Sequence, residues 1–202
     1  MADLASQIAD TLEKRLFVEM EASGRHVHLS EADAMTLFGH PLTEKGPLSQ
    51  PGQFVCQERV ALQGPKGTLE RVAVLGPARK ESQVEISLTD GVALGIRPPV
   101  NLSGDLTGAA PITVLGETGQ VHLPKGAICA MRHLHITPED AKIHKVSDGD
   151  TVQIQAVTDR SVVFCDVAVR VSDKFATRVH LDYDEANACG FKKGDLGMIL
   201  HG

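Results

Sequence analysis

Two histidine pairs carry the most informative chemistry in this chain. They are Arg25-His26-Val27-His28-Leu29-Ser30 and Arg132-His133-Leu134-His135-Ile136-Thr137. The second copy begins 107 residues after the first (132 − 25). In an extended strand, residues two apart project to the same side. Each His-x-His therefore presents two imidazoles on one face, with Val27 or Leu134 packed behind. Neutral imidazole is the commonest side-chain metal ligand. The pattern implies two metal sites, or one shared site, related by a pseudo-twofold.

The remainder of each half supplies a third donor. Val72-Ala73-Val74 matches Val167-Ala168-Val169 at an offset of 95 (167 − 72). The same offset sets Gln83-Val84-Glu85-Ile86-Ser87 on Arg178-Val179-His180-Leu181-Asp182, so Glu85 and His180 are equivalent. Two triads result: His26, His28, Glu85 and His133, His135, His180. Three protein donors with one position open is the catalytic pattern for zinc, whereas structural sites usually close with four. Arg79 lies shortly before Glu85, and an arginine fork beside a metal suits a phosphate or a carboxylate. Asn101-Leu102-Ser103-Gly104-Asp105 is a turn with a hydroxyl, suited to an anion. Cys129 shares strand parity with His133 and reads as a small buried residue. The chain has no GxxxxGK[ST], HExxH or GxSxG pattern, so nucleotide hydrolysis, zincin proteolysis and serine-esterase chemistry lack support.

Short elements must position these side chains. Ser30 and Thr137 each stand as an N-cap hydroxyl with a carboxylate three residues on, Asp33 or Asp140, and Pro138 suits a first helical position. Each copy thus reads as strand, His-x-His, then a short helix whose N-terminus favours an anion. Strands are expected over 17–22, 53–62, 69–75, 83–88, 112–115, 120–123, 127–131, 151–157, 161–171, 178–182 and 196–200. Gly116-Glu117-Thr118-Gly119 turns a hairpin, and Gly104-Asp105-Leu106 is echoed by Gly194-Asp195-Leu196. Leu4, Ile8, Leu12 and Leu16 form an apolar stripe, predicting an amphipathic helix over 1–15 that either docks on the body or serves as a detachable partner-binding tag. Helix is otherwise confined to the stretches after each His-x-His. The fold class is mainly β: two duplicated barrel or sandwich units.

At 202 residues the chain is one large domain or two small ones, and an apolar fraction of 42% is enough for a core. Trp is absent, so Val, Leu, Ile and Ala must fill that core. A formal charge of −6 argues against nucleic acid as a partner. No run approaches a transmembrane length and no secretory pattern opens the chain, so no membrane partner is expected. Four widely spaced cysteines read as reduced thiols of a cytoplasmic protein.

From about Val18 to Ile199 the chain resembles the PduL-type phosphate acyltransferases, the phosphate propanoyltransferases. The resemblance rests on both His-x-His motifs, Leu48-Ser49-Gln50-Pro51-Gly52-Gln53-Phe54, Gln83–Ser87, Ser103-Gly104-Asp105 and His180-Leu181-Asp182-Tyr183-Asp184-Glu185-Ala186-Asn187. It implies two β-barrels capped by short helices, over 25–130 and over 16–24 with 131–202, and two zinc ions between them held by the two triads. The strand before Arg25 would pair into the C-terminal barrel. It further implies reversible transfer of a short acyl group between acyl-CoA and orthophosphate. Arg79 would bind phosphate catalytically, Ser103 would contact it, and Ser23, Lys45 and Asn187 would contact CoA. Phosphate held by the metals and Arg79 would attack the thioester directly. A homo-oligomer is expected. Many relatives carry an N-terminal encapsulation helix, which makes residues 1–15 a candidate tag for a bacterial microcompartment lumen and its shell. The residues alone also admit a metallohydrolase using metal-activated water, or a metal-dependent binding module.

Overall fold

The computed structural model describes Leu12 and residues 16–200. The helix expected over 1–15 therefore lies, Leu12 apart, outside the described residues. The chain begins β1 (Phe17–Ala22), β2 (His26–Ser30), α1 (Glu31–Phe38), β3 (Glu44–Pro47), β4 (Phe54–Gln63), β5 (Thr68–Arg79), β6 (Gln83–Glu85), α2 (Leu88–Leu94) and β7 (Val100–Asn101). It continues β8 (Ala110–Leu115), β9 (Gln120–Ala130), β10 (His133–Ile136), α3 (Pro138–His144), β11 (Thr151–Val157), β12 (Val163–Val171), β13 (Arg178–Leu181), α4 (Tyr183–Ala188) and β14 (Leu196–Leu200). No helix among the described residues is long and apolar enough to cross a membrane.

The chain divides into two compact units, and each closes a six-stranded barrel. The first comprises Gly24–Met131 with Asp182–Asp184. Its strands pair in the ring β4–β5–β2–β6–β9–β8, and β8 returns to β4 to close it. β3 extends the sheet beside β4, and β7 beside β9. Alternate residues point inward, so Val27, Leu29, Leu62, Val74, Val84 and Ile112 fill this barrel. The second unit takes the described residues up to Ser23, Arg132–Leu181 and the chain from Glu185. Its ring is β1–β13–β10–β12–β11–β14, filled by Leu134, Ile136, Ile154, Val167, Val179 and Leu181. Closure leaves no ring strand with an unpaired edge.

The two rings share one register. In the first, β2 runs parallel to β5 with His26 opposite Ala73, and antiparallel to β6 with His26 opposite Glu85. In the second, β10 runs parallel to β12 with His133 opposite Ala168, and antiparallel to β13 with His133 opposite His180. The strands before the His-x-His motifs are exchanged: β1 leads into β2 but pairs with β13 and β14, whereas β9 leads into β10 but pairs with β6 and β8. The echoed Gly-Asp-Leu segments make the same turn, with Gly104 at φ +98° and Gly194 at φ +99°, a region open to glycine without strain.

Several boundaries differ from expectation. The stretches 120–123 and 127–130 belong to one long strand, β9, which ends before Met131. Helix is not confined to the segments after His-x-His, since α2 and α4 follow the third-donor strands. Both are short, and Gly91 interrupts the periodicity of α2, which is why helical spacing did not reveal them. The usable signal was the cap: Ser87 accepts from Asp90 N, and the Asp90 carboxylate accepts from Ser87 N. Two short strands, β3 and β7, were also unanticipated.

Candidate active site

In the first unit, β2 turns Val27 and Leu29 into the core and sets His26 and His28 together on the other face, all four buried. β6 brings Glu85 across from His26. One donor atom from each of His26, His28 and Glu85 lies within 4.8 Å of the others. The Gly24 carbonyl stands 2.7 Å from His26 Nδ1. A carbonyl only accepts, so Nδ1 is the donor there, and Nε2 is the nitrogen turned toward Glu85, 3.4 Å from Oε2. Fixing one ring nitrogen in this way is how ligating histidines are oriented. A Cβ on Gly24 would lie 2.5 Å from the Tyr183 hydroxyl, so the exposed Tyr183 ring would have to shift to admit one.

The electrostatics favour a metal in this triad. Burial, then His26 and Arg79, push His28 down to about 3 against the pull of Glu85. Its ring is neutral at pH 7 and retains a lone pair. Burial pushes the Glu85 carboxyl up, but His26, His28, the Ser103 hydrogen bond and Arg79 outweigh it and hold it at about 2. A neutral imidazole and an ionised carboxylate can both offer electron pairs to one cation. Two nitrogens and one carboxylate oxygen are the donor chemistry of a divalent metal such as zinc.

An anion-binding group stands on the same carboxylate. Ser103 Oγ donates to Glu85 Oε1 at 2.6 Å, and Arg79 Nη1 donates to Ser103 Oγ at 3.1 Å. Gln83, which sequence reasoning passed over, completes the cluster. Its amide nitrogen lies 2.6 Å from Glu85 Oε1 and 3.2 Å from Ser103 Oγ, and its carbonyl accepts from Gly104 N at 2.8 Å. Gln83 is buried opposite His28, two residues before Glu85 on the same face. That strand parity was the signal available for it.

In the second unit, β10 and β13 gather three imidazoles. His133 and His180 stack with centroids 4.9 Å apart, and His135 meets them edge-on at 4.5 and 4.9 Å. Phe175 stacks on His135 at 4.1 Å and fixes that ring. Here too one donor atom per residue lies within 4.8 Å of the others. Three such nitrogens suit a metal with an open position.

The expected CoA contacts fall on different elements. Lys45 is exposed on β3, in the first unit. Ser23 follows β1, its N–H donating to the Leu181 carbonyl at 2.7 Å. Asn187 is exposed on α4. Cys129 is buried, and its thiol donates to Asp182 Oδ2 at 3.1 Å.

Comparison with known proteins decides the family. A profile of the phosphate propanoyltransferase family matches residues 19–192. The chain belongs to this family. A phosphate propanoyltransferase of Clostridioides difficile is 48% identical over 200 residues, covering 98% of this chain and 96% of that protein. One from Listeria monocytogenes is 53% identical over 185 residues, covering 91% and 87%. One from Thermotoga maritima is 46% identical over 197 residues, covering 96% and 94%. In this phosphate propanoyltransferase family member, both triads, Arg79, Gln83 and Ser103 lie inside the matched span.

Proposed function

We propose that this chain transfers a short acyl group reversibly between acyl-CoA and orthophosphate. Acyl transfer involving phosphate follows from family membership. The direct route is supported by one observation above all. Arg79 and Ser103 are hydrogen-bonded, in sequence, onto the carboxylate that completes a metal-type triad.

Two zinc ions, or another divalent metal, held by His26, His28 and Glu85 and by His133, His135 and His180, would supply positive charge for the phosphate and for the carbonyl oxygen as it becomes negative. Arg79 presents a planar fork that matches two phosphate oxygens. Ser103 and Gln83 hold that fork and Glu85 in one arrangement, so the nucleophile is oriented before the reaction begins. A phosphate oxygen then attacks the thioester carbonyl. The carbon–sulfur bond breaks, CoA leaves as a thiolate, and acyl phosphate is the product. The thiolate is a fair leaving group, and no residue of this chain needs to become acylated. Ser23, Lys45 and Asn187 are assigned to CoA on resemblance alone.

The test is CoA release from a panel of short acyl-CoAs with and without phosphate, with acyl phosphate measured alongside. Phosphate-dependent release with one acyl phosphate per CoA is expected. Equal release without phosphate would identify a thioester hydrolase instead.

A further inference from the structure

Each triad is bracketed by two side-chain ties that the transfer chemistry does not use. In the first unit, Arg25 stands directly before His26 and grips Asp90 with two bonds, Nε to Oδ2 at 3.1 Å and Nη2 to Oδ1 at 2.9 Å. Asp90 is buried in the first turn of α2, shortly after Glu85. The tie thus joins the start of the histidine strand to the end of the third-donor strand. The second tie joins their other ends. Ser30, two residues after His28, donates its N–H to Ser82 Oγ at 2.8 Å, and Ser82 Oγ donates to Asp33 Oδ2 at 2.5 Å. Ser82 lies immediately before β6.

The second unit has both ties at the corresponding positions. Arg132 Nη1 pairs with Glu185 Oε1 at 2.7 Å, in the first turn of α4. Thr137 donates its N–H to Thr177 Oγ1 at 3.3 Å, and Thr177 Oγ1 donates to Asp140 Oδ2. The histidine-side partners are related by 107 (132 − 25, 140 − 33) and the third-donor-side partners by 95 (185 − 90, 177 − 82). These are the two offsets that relate the metal donors themselves. Between the copies Asp90 became Glu185 and Ser82 became Thr177, yet both ties persist. Over the same interval the third donor changed from Glu85 to His180.

We propose that these ties are positioning residues for the triads. They hold the strand with the two imidazoles against the strand with the third donor, so each triad retains its metal through its own pair of ties. The inference rests on the metal reading above. The physical reason lies in the shortness of β6 and β13, which span three and four residues. So few ladder bonds allow a strand to slide or fray, and a small displacement of the third donor opens a three-ligand site. In the first unit the restraint on such motion is a charge-assisted fork to the buried Asp90, and in the second it is a single charge-assisted bond to the part-exposed Glu185.

The experiment is metal release into excess chelator from the full-length protein, following each metal separately. His28→Ala and His135→Ala identify which release phase belongs to which triad. Asp90→Asn is expected to speed release from the first triad by about tenfold or more while leaving the second unchanged, as for other residues that orient metal ligands. Glu185→Gln should do the converse, and Arg25→Lys should fall between wild type and Asp90→Asn. Ser82→Ala provides a second probe of the first triad should Asp90→Asn fail to fold. The melting temperature of each stripped variant is measured in parallel. Unaltered release in folded variants, or both phases accelerating together with a fall in melting temperature, would reduce the ties to general scaffold and overturn the proposal. Wild-type protein holding two metals in those experiments would leave the metal reading intact; wild-type protein holding none would remove both.

Discussion

In the first barrel the residues facing His26 and His28 across the antiparallel pair are Glu85 and Gln83; in the second, those facing His133 and His135 are His180 and Arg178. On the next strand, Ile128 lies beside Glu85, whereas Glu21 lies beside His180. One ladder therefore carries two chemistries. Glu85 brings a negative charge that Gln83, Ser103 and Arg79 surround. The second triad is all imidazole, and Arg178 is engaged by Glu19. A metal on three neutral nitrogens keeps its full charge, while one sharing a carboxylate does not. The difference teaches that backbone register sets where a side chain begins, and that the duplicated frame then tolerates a new donor at one position.

The largest expected effect comes from removing one triad at a time. Wild type should hold about two zinc ions per chain. His28→Ala and His135→Ala should each lose one metal and most activity, measured by elemental analysis and CoA release. Full metal content with a normal rate in His135→Ala would break the equivalence of the two triads.

Arg79 sharpens the contrast next. Arg79→Ala should lose roughly 2–4 kcal/mol of transition-state stabilisation, read from kcat/KM for phosphate. Arg79→Lys should rescue poorly, because it lacks the fork. The repeat-related position in the second unit is the exposed Lys174 (174 − 79 = 95), and Lys174→Ala should stay near the wild-type rate. Equal losses at the two positions would mean that anion binding is not confined to the first copy.

Acid should reveal the first triad in metal-stripped protein. His28 moves from 6.5 to about 3 on folding, so the unfolded chain takes up a proton that the folded one refuses. Glu85 moves from 4.5 to about 2, with the same sign. Stability contributed by His28 is complete above 6.5 and is lost as pH falls towards 3; that from Glu85 is lost between 4.5 and 2. The urea midpoint should fall between pH 7 and pH 5, and less steeply in His28→Asn. Identical slopes would show that His28 is not held neutral.

The smallest effect concerns Cys129. Its thiol is buried and bonded to Asp182, so Cys129→Ala should keep most of the rate. Initial-rate patterns should intersect, as for a ternary complex. Parallel lines, or an acyl adduct on Cys129 after acyl-CoA alone, would replace direct transfer with an acyl-enzyme route.

Much of this site was legible before folding was considered. His26 and His28 share a face because side chains alternate along any strand, and the repeat led from them to Glu85 and His180. The offset alignment of Val72–Val74 with Val167–Val169 reappears as the same pairing of β5 and β12 with the histidine strands. α2 and α4 escaped notice because six or seven residues give too little helical period, and Gln83 because its one local signal, strand parity with Glu85, is shared by many surface amides.

The sequence by itself determined the six candidate donors, their division into two triads and the mainly β character. These follow from short-range backbone geometry and from an internal repeat, and both are written along the chain. Tertiary structure alone decided the partners: that Gln83 meets both Ser103 and Glu85, and that Arg25 grips Asp90 across 65 residues. Which distant residues meet depends on which strands become neighbours when each ladder closes, and that choice belongs to the whole set of backbone hydrogen bonds rather than to any one segment.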